Sequence, residues 1–169
     1  MVYPNFKNKH LQEALFQPAD FIRYKKFDKK NFPKKYIIIY QTSAKNYFLR
    51  KYKPSKIKEY SIYVHKNIGL IKIAGIGAPN AVTIFEELIA LGGKEFLNIG
   101  IAGGLQQEGV FLCEKAVRDE GTSYHYVKSG RYSYPNKILT NKFEKTLEKM
   151  KISFTRGTTW TIAAPYMET

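Results

Sequence analysis

Among its 169 residues the chain has a single cysteine, a single tryptophan and only five arginines. Cys113 therefore cannot close an internal disulfide, and its place in the apolar run Gly109-Val110-Phe111-Leu112-Cys113 predicts a buried, inert thiol. Few arginines mean few planar forks suited to base or phosphate recognition. No apolar stretch approaches the roughly 20 residues of a membrane span. Met1-Val2-Tyr3-Pro4-Asn5 does not begin a signal peptide, so a cytoplasmic protein without membrane contact is expected. No Cys and His spacing suggests a metal, and His10, His65 and His125 are scattered. Glycine and proline, at 12 and 7, are too few for a fibrous or disordered chain. There is no internal repeat.

What is present is one core's worth of apolar side chains, 44% hydrophobic and 15% aromatic, under a formal charge of +14. The charge is lopsided: residues 1–60 hold 15 Lys plus Arg against 4 Asp plus Glu, a difference of +11. Such a segment can be a patch for a polyanion. Lysine outnumbers arginine 23 to 5, however, which fits a lysine-rich compositional bias, and nucleic acid is not the expected partner.

Residues 1–35 alternate charged clusters with aromatics and read as an amino-terminal arm, with one short helical pattern around Leu11 to Phe16. A domain over 36–169 follows. Tyr36-Ile37-Ile38-Ile39-Tyr40 is a strand buried on both faces, and Ser43 to Lys51 is a helix. Strands at Tyr60–Val64 and Ile68–Ala74 flank the turn His65-Lys66-Asn67. The loop Gly75 to Asn80 leads into a helix in which Ala81, Val82, Phe85, Leu88 and Ile89 recur at helical spacing, closed by Gly92-Gly93. Phe96 to Gly100 is the next buried strand, and Ala102-Gly103-Gly104 predicts a tight turn after it. A strand at Val110–Val117, a helix at Leu139–Met150 and a strand at Thr159–Ile162 complete the pattern. Alternating strands and helices predict an α/β fold: a mainly parallel mixed sheet with helices on both faces, three-layer α/β/α. Ligands of such sheets bind beyond the carboxyl ends of the strands.

Each glycine loop alone is weak: Gly75-Ile76-Gly77 lacks the dinucleotide spacing, and taken alone it is better accounted for as a tight turn between strand and helix. Four segments follow in order, however: Gly75-Ile76-Gly77-Ala78-Pro79-Asn80-Ala81, Glu86-Glu87-Leu88-Ile89-Ala90-Leu91-Gly92, Asn98-Ile99-Gly100-Ile101-Ala102-Gly103-Gly104-Leu105-Gln106, and Ala116-Val117-Arg118-Asp119-Glu120-Gly121-Thr122-Ser123. Together with Thr161-Ile162-Ala163-Ala164-Pro165-Tyr166-Met167-Glu168-Thr169 they resemble the nucleoside phosphorylase superfamily, of the uridine and purine phosphorylase type.

The resemblance implies phosphorolysis of a ribonucleoside, uridine or a related one, to free base and ribose 1-phosphate, with no cofactor, in a dimer or ring of dimers. It places nucleoside contacts at Ile101, Ala102, Gly103 and Tyr166. His10 is either an exposed arm residue or the family's histidine that reaches a neighbour's sugar. Phosphate contacts fall on Gly77 and Asn98, with Ser43, Lys45 and Arg50 as a substitute site. The departures from the family pattern are specific. Tyr40-Gln41-Thr42-Ser43-Ala44 stands where the family has Gly-Asp-Pro-x-Arg, Asn98 replaces an arginine, and Ile101 replaces a Thr or Ser. Ala163 and Met167 replace an Asp and an Arg. Each lost charge-assisted contact removes about 1.5–3 kcal/mol from a phosphate site. The family's further carboxyl segment, with its Met-Glu pair for the ribose, is absent from these residues, so a truncated, weak or inactive enzyme is expected. A noncatalytic nucleoside-binding member of the family stands beside that reading. The charged run Arg118 to Glu120 is expected to be structural.

Overall fold

The apolar run Tyr36 to Ile39 becomes the strand β1 (Lys35–Ile39) in a computed structural model that describes residues 8–167. The first seven residues of the expected arm, and Glu168-Thr169 of the last motif, lie outside the described residues. Residues 13–102 form one compact unit, and the residues up to Gln12 together with those from Gly103 onward form another.

The 13–102 unit runs α1 (Pro18–Tyr24), β1, α2 (Thr42–Tyr52), β2 (Ser55–Ile57), β3 (Ile62–His65), β4 (Ile68–Lys72), α3 (Ala78–Ala90) and β5 (Glu95–Ile99). The strands form one sheet in the order β2-β3-β4-β1-β5. β4, β1 and β5 are parallel neighbours, and antiparallel pairing is confined to the short β2 and β3. Alternation along β1 sends Tyr36 and Ile38 to one face, where they join Ile71, Ile73, Phe96, Leu88 and Ile22 under α1 and α3. Ile37 and Ile39 go to the other, where Ile39 meets Leu70 and Phe48 beneath α2. Each such isoleucine stabilises by about 1.5–3 kcal/mol on burial. The expected α/β fold, with helices on both faces of a mixed sheet, is what forms.

Three details differ from the sequence reading. The helix expected at Leu11 to Phe16 is only a 3-10 turn at Lys9–Leu11, with Leu11, Leu15 and Phe16 exposed. The helix starts at Pro18 because the proline keeps Gln17 extended and the Asp20 carboxylate accepts from the Gln17 amide at 3.0 Å. β3 begins at Ile62 because Lys58–Tyr60 makes a 3-10 turn that ends with Ser61 at φ 51°. β5 is an end strand whose Asn98 and Ile99 are exposed, not the buried strand expected.

The other unit holds β6 (Phe111–Asp119), β7 (Tyr132–Ser133), α4 (Lys137–Lys149) and β8 (Thr155–Ile162). β6 pairs parallel with β8 and antiparallel with β7. The Asn136 side chain caps α4 by accepting from the Leu139 amide at 3.0 Å. Arg156 on β8 forks onto Glu144 of α4, Nε to Oε1 2.8 Å, and lies 3.6 Å from Glu114. That pairing holds the Glu144 carboxyl below its ordinary range. Cys113 is half-buried rather than buried: β6 is irregular there, and its Sγ lies 3.4 Å from the Lys115 carbonyl.

Candidate functional site

Parallel register fixes which loops are neighbours. Ile39 at the end of β1 lies between Lys72 of β4 and Ile99 of β5, and the Ile73 amide donates to the Ile39 carbonyl at 2.9 Å. The segments leaving at Tyr40-Gln41, Ile73 to Gly77 and Gly100 to Ala102 therefore depart from one edge of the sheet. α2 starts at that edge directly after Gln41, and α3 directly after Gly77. The first amides of both helices have no partner within the helix, and each helix carries a partial positive charge at this end. One edge thus presents two anion-attracting termini.

The α3 loop is built for close approach. Gly75 and Gly77 have φ of 80° and 104°, which side chains rarely adopt. The Asn80 amide nitrogen donates to the Ala74 carbonyl at 2.6 Å and pins the loop, while the Ala81 amide closes onto the Gly77 carbonyl at 3.2 Å.

Six of the seven candidate residues of this unit belong to that edge, but not to one face; Arg50, exposed in the last turn of α2, lies away from it. Ser43 is exposed and Lys45 half-buried in the first turns of α2. Lys45 lies three residues before the buried Phe48, on the stripe that faces the sheet. Asn98 alternates with Phe96 and so belongs to the α3 side. Gly77 caps α3, and Ile101 and Ala102 are exposed where β5 ends.

One cation was missed from sequence. Lys72, half-buried at the end of β4, alternates with Leu70 and therefore shares the α2 face with Lys45. α2 runs antiparallel to β4, so Lys45 is one helical turn, and Lys72 two strand residues, beyond the Phe48–Leu70 contact toward the carboxyl edge. Neither has a carboxylate partner among the described residues. The signal was a lysine interrupting the apolar run Ile68 to Ile73.

The remaining candidates belong to the other unit. His10 is half-buried in the 3-10 turn that packs near the turn Ser123–His125. Tyr166 is fully exposed beyond β8, and Gly103 is exposed. The tight turn expected at Ala102-Gly103-Gly104 is absent: residues 100–110 run as an irregular loop that bends at Leu105-Gln106. Gly104 is nonetheless required there, because a Cβ would come 2.5 Å from the Gln107 carbonyl oxygen.

Arg118 is structural, as expected. It is buried, donates from Nε to the Ser123 hydroxyl at 2.8 Å and from a terminal nitrogen to the Lys128 carbonyl at 2.9 Å, and lies over the Tyr124 ring. Burial pushes the Glu120 carboxyl up, but hydrogen bonds from Ser123 and Thr122 outweigh it and hold the group below its ordinary value. No cluster of three or more metal-ligating side chains occurs among the described residues. No helix among them is long and apolar enough to cross a membrane.

Comparison with known proteins addresses the same segments. A family profile described as Phosphorylase superfamily matches residues 40–169. The chain is 31% identical over 87 residues to uridine phosphorylase of Treponema pallidum, covering 49% of this chain and 34% of that protein. It is 34% identical over 85 residues to uridine phosphorylase of Thermococcus kodakarensis, covering 46% and 30%. It thus spans no more than 34% of the length of these two relatives. In fold it is similar to AMP nucleosidase from Bacteroides thetaiotaomicron, with a TM-score of 0.77 at 22% identity over 90% of this chain and 71% of that one. The profile match runs through all three loops of the carboxyl edge and over most of the chain, and the chain belongs to the phosphorylase superfamily.

Proposed function

We propose that the chain binds a ribonucleoside, uridine or a related one, at the carboxyl edge of β4, β1 and β5, and takes part in its phosphorolysis to free base and ribose 1-phosphate. The observation that carries this reading is the convergence of two helix amino termini and three strand-end loops on that edge. In the reaction a phosphate oxygen bonds to the anomeric carbon as the bond to the base nitrogen breaks, and the electron pair leaves with the base. The transition state needs a held phosphate dianion, which oriented amides and cations supply without reorganising. In place of the missing arginines, the reading assigns that charge to Lys45 and Lys72, with the Ser43 hydroxyl in the same first turns of α2 and the amides at Gly77 at the same edge on the α3 side. Ile101 and Ala102 would lie along the nucleoside. Gly103, Tyr166 and His10 belong to the other unit, and a nucleoside role for them rests on the resemblance alone. A homo-oligomer and a cytoplasmic location belong to the same proposal; a monodisperse monomer in sedimentation would remove the oligomer.

Asn98 and Ile101 favour a second reading, a noncatalytic nucleoside binder, because neither replaces the charge or hydroxyl expected there. Incubation with uridine, inosine or adenosine and phosphate, following free base, separates the two. Phosphate-dependent release that falls in Lys72→Gln supports phosphorolysis. Calorimetric binding of nucleoside without release supports the second reading. Neither binding nor release overturns both.

A further inference from the structure

A dense run of positive charge lies between α2 and the turn after β3 in the 13–102 unit. Residues 50–66 carry Arg50, Lys51, Lys53, Lys56, Lys58 and Lys66 against the single acid Glu59. None of these cations has a carboxylate partner among the described residues. Composition alone could not show that the lysines are interleaved with rings. Lys51 Nζ lies 5.3 Å from the Tyr47 ring centre and 5.4 Å from that of Tyr52, and donates to the Tyr47 hydroxyl at 3.0 Å. The Tyr52 ring is 4.9 Å from the His65 ring. Tyr63, two residues from His65 on the same face of β3, carries Lys56 at 5.6 Å. The result is a strip that crosses from α2 over β3 to the end strand β2. Tyr47 and Tyr52 remain 52% and 38% exposed. The Tyr47 hydroxyl holds the Lys51 ammonium above the ordinary lysine range, so that charge persists at any physiological pH.

We infer that this strip binds single-stranded nucleic acid, its lysines meeting phosphates and Tyr47 and Tyr52 offering ring faces to unpaired bases. A backbone-tracking row of cations with interleaved aromatics suits any base, because every base has a π-face. Duplex reading would instead call for an element that enters a groove and forks onto base edges, whereas the ring-paired cations here are lysines on α2 and on an end strand. An anionic bilayer would use the lysines and can seat tyrosines at its interface, but it calls for an apolar face to insert beside them, and the contacts of the strip join only lysine, tyrosine and histidine. The strip is separate from the candidate nucleoside site: His65 pairs with Ile68 at the start of β4, the end of the sheet opposite the carboxyl edge.

The test uses the full chain and fluorescence anisotropy with labelled 20-nucleotide oligouridylate and oligothymidylate, a duplex of equal length, and anionic phospholipid vesicles, between 50 and 200 mM salt. Both single strands should bind, more tightly than the duplex or the vesicles. Preference for oligouridylate identifies RNA as the occupant, and for oligothymidylate DNA. Lys51→Gln and Lys56→Gln should each lower the log–log salt slope by about 0.7, the value per phosphate for single strands. Tyr47→Leu should weaken binding roughly tenfold and leave the slope unchanged. The control Lys142→Gln with Lys149→Gln, on α4, should change neither. The inference is overturned if neither single strand binds, if the α4 control costs as much as the strip lysines, if Tyr47→Leu has no effect, or if duplex or vesicles bind as tightly.

Discussion

In residues 13–102 twelve hydrophobic side chains, from Ile22 to Leu91, are buried, whereas among the described residues of the other unit only Leu112 and Leu147 are, and that unit closes around the buried Arg118. The first unit is held by non-directional burial spread over two faces of a sheet. The second relies on directional bonds: Arg118 to Ser123 and Lys128, Glu120 to the Thr122 and Ser123 amides, Arg156 to Glu144. A core of the first kind loses stability in proportion to volume removed. A polar network of the second kind fails when one partner is deleted, because the others are left unpaired.

The largest effect should come from Ile38→Ala, which opens a cavity at a fully buried position and should cost about 4 kcal/mol in chemical denaturation, against about 2 kcal/mol for Leu147→Ala. Equal losses would break the contrast between the units. Arg118→Met should cost about 2–3 kcal/mol, and hydrogen exchange should quicken across residues 120–131 while β1 stays protected. Exchange that quickens equally in β1 would mean the network is not local. Tyr36→Phe should raise stability by about 1 kcal/mol, since the Tyr36 hydroxyl is buried without a hydrogen-bond partner among the described residues, while its ring, stacked on Phe96 at 5.6 Å, is retained. A loss on this substitution would show that the hydroxyl is satisfied in solution. The smallest effect is a pH response. Because the folded Glu120 carboxyl is held below its ordinary 4.5, its contribution is fully present above that value and is lost as pH falls through the lower folded value. Exchange at the Thr122 and Ser123 amides, corrected for intrinsic rate, should therefore quicken in acid, and Glu120→Gln should abolish the change.

The same contrast explains what could be read from sequence. β1, β4 and α3 were legible because burial on both faces leaves continuous apolar runs, and helical packing leaves the spacing Ala81, Phe85, Leu88. β2 and β7 were not: they are short, and their side chains are mostly exposed or half-buried, so no period marks them. The start of α1 depends on Asp20 reaching back to Gln17, a contact between polar residues that a search for apolar repeats passes over. At the candidate site the glycines and strand ends were visible, and strand order supplied their convergence. The assignment of Lys72 to the face of Lys45, and of Asn98 to the opposite one, follows from strand alternation and became readable only once the register was known.

Because β1 is bonded only to β4 and β5, both parallel to it, the sticky Tyr36 to Ile39 segment has no partner in its own neighbourhood of the chain. The ribosome must add sixty residues after Ile39 before Ile99, its last partner, exists. At about 5–20 residues per second that is roughly 3–12 s of exposure. Throughout that interval the isoleucine strand keeps at least one edge open.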